Sequence, residues 1–414
     1  MNIFLILVIT FISGGYFLNL IIELLNLKNL KLKVPPEFQD VYDTEKFNQT
    51  QQYNRENTVF GIIVSTVETI LLILFIVLGG FNLIDKFARS FNFNEIITGI
   101  IFIYSIIFLV GLFKLPVSIY STFHIEQKYG FNRTSVKTFI LDNLKSLALI
   151  IIIGVPVLSV VLWFFNYTGN FAWLYIWGFI SLFQIAMLYI APNIIMPLFN
   201  KFIPLEEGEL KNSIENYARN QNFKIKGIFK MDGSKRSSKS NAFFTGIGNS
   251  IRIVLFDTLI EKHSTSELLT VLAHEMGHFK LKHIYKQLAI SILETGLLLF
   301  ILSFFLKNPQ LFDAFKMDHL SIYGSLVFFG FLYSPISEFL GIASNYISRR
   351  FEFQADHYSV KTTQEPQSFI NALKKLGADN LSNPNPHPLK VFIEYCHPPI
   401  LARIRNVKNN YPQV

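Results

Sequence analysis

Cysteine is almost missing from this 414-residue chain, and Cys396 is the only one. A single thiol excludes a disulfide framework and any thiolate metal cluster, so a bound metal must be held by histidine and carboxylate. Charge is scarce too. Only 16% of residues are charged and 51% are hydrophobic, where a soluble domain carries about a quarter charged residues. With a mean hydropathy of +0.37, the chain holds more apolar surface than one soluble core can take. It also lacks basic runs interleaved with aromatics, despite a net charge of +8, which argues against a nucleic-acid partner. Internal repeats and low-complexity tracts are lacking as well.

The apolar residues gather in seven runs, at 3–24, 58–84, 96–121, 147–166, 172–195, 285–306 and 321–344. Each is close to the roughly twenty residues needed to cross a bilayer core. The first run has no lysine or arginine ahead of it and no small-residue cleavage signal behind it, whereas Lys28, Lys31 and Lys33 follow it. That order is the reverse of a signal peptide and predicts an uncut anchor with its N-terminus outside. Lys46, Arg55, Lys128, Arg133, Lys137, Lys145, Arg349 and Arg350 all fall after odd-numbered runs. The opposite loops are poorer, with Lys86, Arg89, Lys307 and Lys316. The positive-inside rule therefore places the odd-numbered loops and the C-terminus in the cytoplasm.

The chain thus divides into 1–199, with five spans; 200–284, a cytoplasmic segment; 285–344, with two more spans; and 345–414, a second cytoplasmic segment. The two polar segments lie on one side and can share one site. GIFKM (227–231), NAFFTGI (241–247) and IRIVLF (251–256) read as short strands joined by Gly, Asn and Ser turns, giving a small antiparallel sheet followed by a helix.

That helix carries VLAHEMGHFK (271–280). Ser264 and Glu267 form a capping box ahead of Leu268, Leu269 and Leu272. His274 and His278, four apart, share a helical face and can bind one ion. Glu275 lies beside that face, and Gly277 lets another backbone approach. By chance His-Glu-x-x-His occurs in roughly one chain of this length per hundred, so the motif needs a third ligand to carry weight. FEFQADHY (351–358) offers Glu352 as that ligand, with Asp356 one turn on and placed to accept the free N–H of a ligating imidazole. Alone it is an ordinary acidic amphipathic helix; beside HEMGH it completes a His-His-Glu set.

Other histidines compete less well. His283 lies five residues beyond His278, on the wrong face of a continuous helix, and reads as interfacial. His357 points away from the Glu352 face, and His124, His263 and His319 have no partner pattern. His397, in CHPPILARI (396–404), suits a transition-state hydrogen-bond donor or an ordinary turn. Glu68, Glu294 and Glu338 lie in apolar runs, where acids are costly and face water or a partner. They fit either a water-filled cavity or the ion pathway of a transporter with a structural zinc. A structural zinc wants four protein ligands, and the sequence supplies three.

Several stretches resemble, together and in order, the integral-membrane zinc CAAX prenyl proteases of type 1. These are YGFNRTS (129–135), PNIIMPLFNKFIPLEEGEL (192–210), SKRSSKSNAFFTGIG, IRIVLFDTLI, VLAHEMGHFK, SRRFEFQAD, NPHP and HPPILARI. The resemblance runs from about residue 35 to the end. It implies an all-α membrane protein of seven helices enclosing a large chamber, with a small cytoplasmic α+β zinc-protease cap. It also implies one zinc ion per chain, bound by His274, His278 and Glu352, with Glu275 as general base. Asp356 would be the second acidic residue, either orienting a ligand or donating a proton. Asn241 would belong to the edge strand that pairs with substrate, and His397 would stabilise the oxyanion. Arg403 would be a buried partner or a contact for the substrate carboxylate. The chain's partners would be a lipidated or membrane-associated protein substrate and membrane lipids, and the protein would be a monomer.

Lys239 departs from the pattern, standing where a histidine is expected. The closing NNYPQV is neither a dilysine nor a KDEL-like signal, so a bacterial plasma membrane is expected, with the endoplasmic reticulum as the alternative. A membrane quality-control metalloprotease without CAAX specificity is the rival reading, although that heat-shock type is shorter and has fewer spans.

Overall fold

The computed structural model describes residues 2–30, 33–245 and 252–412. Among them are seven helices long and apolar enough to cross a membrane: Ile3–Asn29, Thr44–Val77, Glu95–Glu126, Val136–Tyr167, Gly169–Phe199, His283–Ser303 and Ile322–Thr363. Five begin at a side-chain cap that the sequence supplies. Asn2, Asp43, Asn94, Ser135 and Ser321 each accept a backbone N–H of the first turn, satisfying a donor that would otherwise be orphaned.

Several helices run beyond the apolar windows, the second starting at Thr44 and the fourth at Val136, and two differences from the hydropathy reading shape the fold. The second span was expected to run to residue 84, but its helix stops at Val77. Gly79 turns the chain at φ +76°, and Gly80–Arg89 forms a separate helix, because glycine enters the left-handed region without steric cost. The last helix is longer than expected. Ile322–Thr363 runs unbroken for 42 residues, roughly twice the length that a bilayer core demands. The FEFQAD segment is therefore not a new helix but the far end of the seventh span.

The spans form a closed ring. Tyr16 bonds Thr66 between the first and second, and Phe60 packs on Tyr120 between the second and third. The Tyr104 hydroxyl donates to Ile150 O between the third and fourth, and Phe164 stacks on Tyr175 between the fourth and fifth. The Trp177 indole N–H donates to Ile292 O between the fifth and sixth, and Gln287 bonds Ser348 between the sixth and seventh. The seventh returns to pack on the first. Within their most apolar windows, between none and 17% of span residues are buried, far too few for helices packed around a solid core. The ring encloses open space.

One end of the ring is plugged. Val8, Ile76, Phe102, Leu162, Ile176, Leu302 and Phe328 belong to one buried cluster, drawn from the N-terminal ends of odd-numbered spans and the C-terminal ends of even-numbered ones, which in an alternating ring is one side. Asp85, wholly buried there, is satisfied by the Tyr323 hydroxyl and by Arg89, which also bonds Glu95. At the opposite end sits the cap. Its sheet holds, among the described residues, β1 (Phe202–Pro204), β2 (Gly227–Met231), β3 (Ala242–Thr245) and β4 (Arg252–Phe256), in the order β1-β2-β4-β3.

This sheet is mixed, not purely antiparallel, and β1 was not anticipated. β2 and β4 run parallel, while β3 folds back antiparallel on β4 and occupies the edge. The run Ile253-Val254-Leu255 is buried at three successive positions, as an interior strand covered on both faces should be. The expected strands at 241–247 and 251–256 extend in part beyond the described residues.

Candidate metal centre

The site begins with the cap of one helix. The Ser264 hydroxyl accepts Glu267 N at 3.3 Å, and Glu267 accepts Ser264 N in return at 3.0 Å, starting the helix Thr265–Lys280. This helix lies along the far end of the seventh span. A Cβ on Gly277 would stand 3.1 Å from the Ala355 Cα and 3.2 Å from the Tyr358 Cβ, so a residue without a side chain sets the close approach. The Ser359 hydroxyl ties the pair by donating to Thr270 O. The two polar segments, separated in sequence by two spans, thus meet along a helix–helix seam.

At that seam three side chains that could hold a metal ion converge. The Nε2 atoms of His274 and His278 are 3.2 Å apart. Glu352 Oε1 is 3.2 Å from His278 Nε2, and Glu352 Oε2 is 3.5 Å from His274 Nε2. Ligands in tetrahedral positions around zinc, at bonds of about 2.0–2.1 Å, stand about 3.3 Å apart. Buried Glu352 Oε2 has no hydrogen-bond partner, and a cation would supply one. The three residues fit a divalent metal.

The other ring nitrogens fix the tautomers. His274 Nδ1 is 2.8 Å from Asp356 Oδ1, and Asp356 is fully buried. His278 Nδ1 is 3.1 Å from His283 Nδ1, whose Nε2 is 3.0 Å from Gln354 Oε1. With both Nδ1 positions carrying hydrogen toward these partners, both Nε2 lone pairs face the same point. Burial and the Arg403 charge oppose protonation of His274, but the neighbouring carboxylates of Asp356 and Glu352 outweigh them and raise its pKa to about 9. Glu275 is half-buried, and burial also pushes its carboxyl up from the ordinary range.

His283 corrects the sequence reading. It is not interfacial but buried, stacked on Phe351 at 4.2 Å, and bonded to His278. Counting five residues along a continuous helix put it on the wrong face. The helix ends at Lys280, Lys282 adopts φ +58°, and a new helix starts at His283. Gln354, the next link, was not singled out either.

A cavity of about 430 Å³ opens from the metal ligands and is also lined by Glu275, Asn241, His397 and Arg403. His397 is exposed, with Nε2 3.3 Å from Glu352 Oε1. Arg403 donates through Nε to Asp356 Oδ2 at 2.9 Å and through Nη2 to Oδ1, and its side chain is largely buried. Two of its donors are thereby spent on Asp356. Asn241 directly precedes the edge strand β3, and its own side chain accepts Ala242 N. Lys239 lies elsewhere, paired with Glu126 at 2.9 Å and set over the Phe131 ring at 4.4 Å.

Comparison with known proteins places this geometry. Residues 23–201 match the family described as CAAX prenyl protease N-terminal, five membrane helices, and residues 204–410 match peptidase family M48. The chain is 36% identical to CAAX prenyl protease 1 of Saccharomyces cerevisiae, over 90% of this chain and 88% of that protein. It is 33% identical to a CAAX prenyl protease 1 homolog of Mus musculus, over 91% and 89%. A solved structure, that of S. mikatae Ste24p, superposes with a TM-score of 0.94 at 33% identity, covering 98% of this chain and 99% of the other.

Proposed function

The chain belongs to the type 1 CAAX prenyl proteases of peptidase family M48, and from that premise we propose how its residues perform hydrolysis and on what. It is a multi-pass membrane metalloprotease that processes CAAX-type proteins. In the reading advanced here, the metal is zinc, the cap faces the cytoplasm, and the bond cut lies near the C-terminus of a prenylated Cys-aliphatic-aliphatic-X tail. The observation that carries it is the convergence of His274 Nε2, His278 Nε2 and Glu352 within 3.2–3.5 Å, beside Glu275.

His274, His278 and Glu352 would hold the zinc; two histidines and a glutamate are one of the standard catalytic sets, leaving a fourth position open. Zinc there supplies Lewis acidity toward a carbonyl and toward water. Glu275 takes the proton of the attacking water and hands it to the leaving amine, a shuttle favoured by a carboxyl whose proton affinity burial has raised. His397, exposed at the cavity mouth, donates to the oxygen that gains charge. Asp356 orients His274, and Arg403 holds Asp356, so Arg403 acts through the buried carboxylate more than on substrate. The edge of β3 that no other described strand covers accepts the substrate backbone as an added strand, with Asn241 at its start.

Incubating the purified chain with a farnesylated CAAX peptide, with and without a chelator, tests this reading. Cleavage that the chelator abolishes and zinc restores is the expected result. Cleavage indifferent to the chelator would contradict it.

A further inference from the structure

A second groove adjoins the metal cavity. It has a volume of about 310 Å³ and is lined by Met187, Leu188, Pro192, Phe243, Phe279 and Tyr285, among others. It shares Phe244 and Ile284 with the metal cavity, so the two spaces are continuous. Its walls come from four elements: the end of the fifth span, the edge strand β3, the C-terminal end of the helix Thr265–Lys280 and the start of the sixth span. Among the described residues, the last side-chain hydrogen bond between those spans toward the cap joins Gln184 to Thr295. Beyond it, Met187 and Leu188 face Ile284 and Tyr285 across the groove.

The fifth span changes form here. Ala191–Ile195 is a single π-helical turn with Pro192 inside it, a widening that breaks the regular ladder and recurs at functional sites. Tyr189, Ile194 and Leu198 on the same segment are exposed, as residues in contact with bilayer are. The groove therefore runs from the membrane boundary to the edge on which a peptide would lie. Two of its lining side chains are methionines, Met187 and Met196, which adapt to irregular apolar shapes.

We propose that this groove holds the prenyl chain of the substrate's lipidated cysteine while the peptide pairs with β3. The inference rests on the CAAX reading above and adds the place where the lipid is recognised. The chemistry is matched at both ends. An isoprenoid on a thioether has no polar group to satisfy, and the groove offers it almost none. The peptide that follows it has backbone N–H and C=O groups to pair, and the strand edge offers partners. Leaving the bilayer along this path, the chain never has to cross water.

The test is photolabelling of the full-length protein in detergent with a CAAX peptide whose cysteine carries a benzophenone-bearing isoprenoid, with labelled residues mapped by mass spectrometry. Labels are expected on Met187, Leu188, Phe279 or Tyr285. In Leu188→Trp, which fills the groove, kcat/KM for the farnesylated peptide should fall about tenfold or more relative to that for the S-methyl peptide. Labels confined to the separate cleft between the second and third spans, lined by Leu71, Phe113 and the Glu68 and Lys114 side chains, would overturn the inference, as would equal losses on both peptides. Failure of the wild-type protein to cleave any CAAX peptide would instead overturn the substrate reading on which the inference stands.

Discussion

His283 Nδ1 lies 3.1 Å from the Nδ1 of His278, with Gln354 bonded to the other side of the same ring. In the proposed site, a candidate ligand histidine is thus steadied by a second histidine held in a buried stack on Phe351. Partners of this kind fix ring orientation and raise ligand basicity, and their loss costs about 10–100-fold in metal affinity or activity. His283→Ala should weaken zinc binding by that amount in a chelator competition, with the fold retained by circular dichroism. An unchanged affinity would show the contact to be packing alone.

Metal affinity should depend on pH through His274. In the metal-free chain its pKa is about 9, raised by Asp356 and Glu352 against the opposing effect of burial. Below that pH a bound metal must displace the proton. Affinity should therefore rise about tenfold per unit between pH 7 and pH 9 and then level off. The sign for stability is opposite. A raised histidine pKa stabilises the metal-free fold fully below about 6.5 and loses that contribution as pH climbs through 9. Chelator competition at pH 6.5, 7.5 and 8.5 decides the first point, and a flat profile would contradict it.

Gly277→Ala sets two effects against each other. Alanine favours the helix by about 1 kcal/mol. Its methyl would meet the Ala355 backbone at 3.1 Å, and overpacking of that kind costs about 1–3 kcal/mol. Because the obstacle is backbone, the cost should win. We expect a net loss of about 1 kcal/mol in thermal unfolding and weaker metal binding, since the seam carries ligands on both sides. A stabilised variant would mean the helices can part freely.

Much of this molecule could be read from its residues, for identifiable reasons. Seven spans are legible because a bilayer imposes length and hydropathy on each, whereas the polar first turns that Asp43 and Ser135 cap lie outside the apolar runs and escape a hydropathy reading. His274, His278, Glu352 and Asp356 are legible because each pair sits four apart on one helix, a periodicity that survives in any tertiary setting. The structure brings the two pairs together at the Gly277 seam. What was illegible depends on chain direction. Nothing about Lys282 marks it as left-handed, and without that break His283 falls on the wrong face. Likewise, the strand residues carry no signal that β4 inserts beside β2 instead of pairing only with β3. Lys239 was visible as a departure, but its partners Glu126 and Phe131 lie over a hundred residues away.

The most direct test of the chemistry is Glu275→Gln, with zinc content and turnover of a farnesylated CAAX peptide measured on the same sample. Glu275 ligates nothing in the His-His-Glu set, so zinc should remain at one equivalent. Removing the proton shuttle should cut turnover at least about a hundredfold. Full zinc with turnover within a few-fold of wild type would contradict Glu275 as the base.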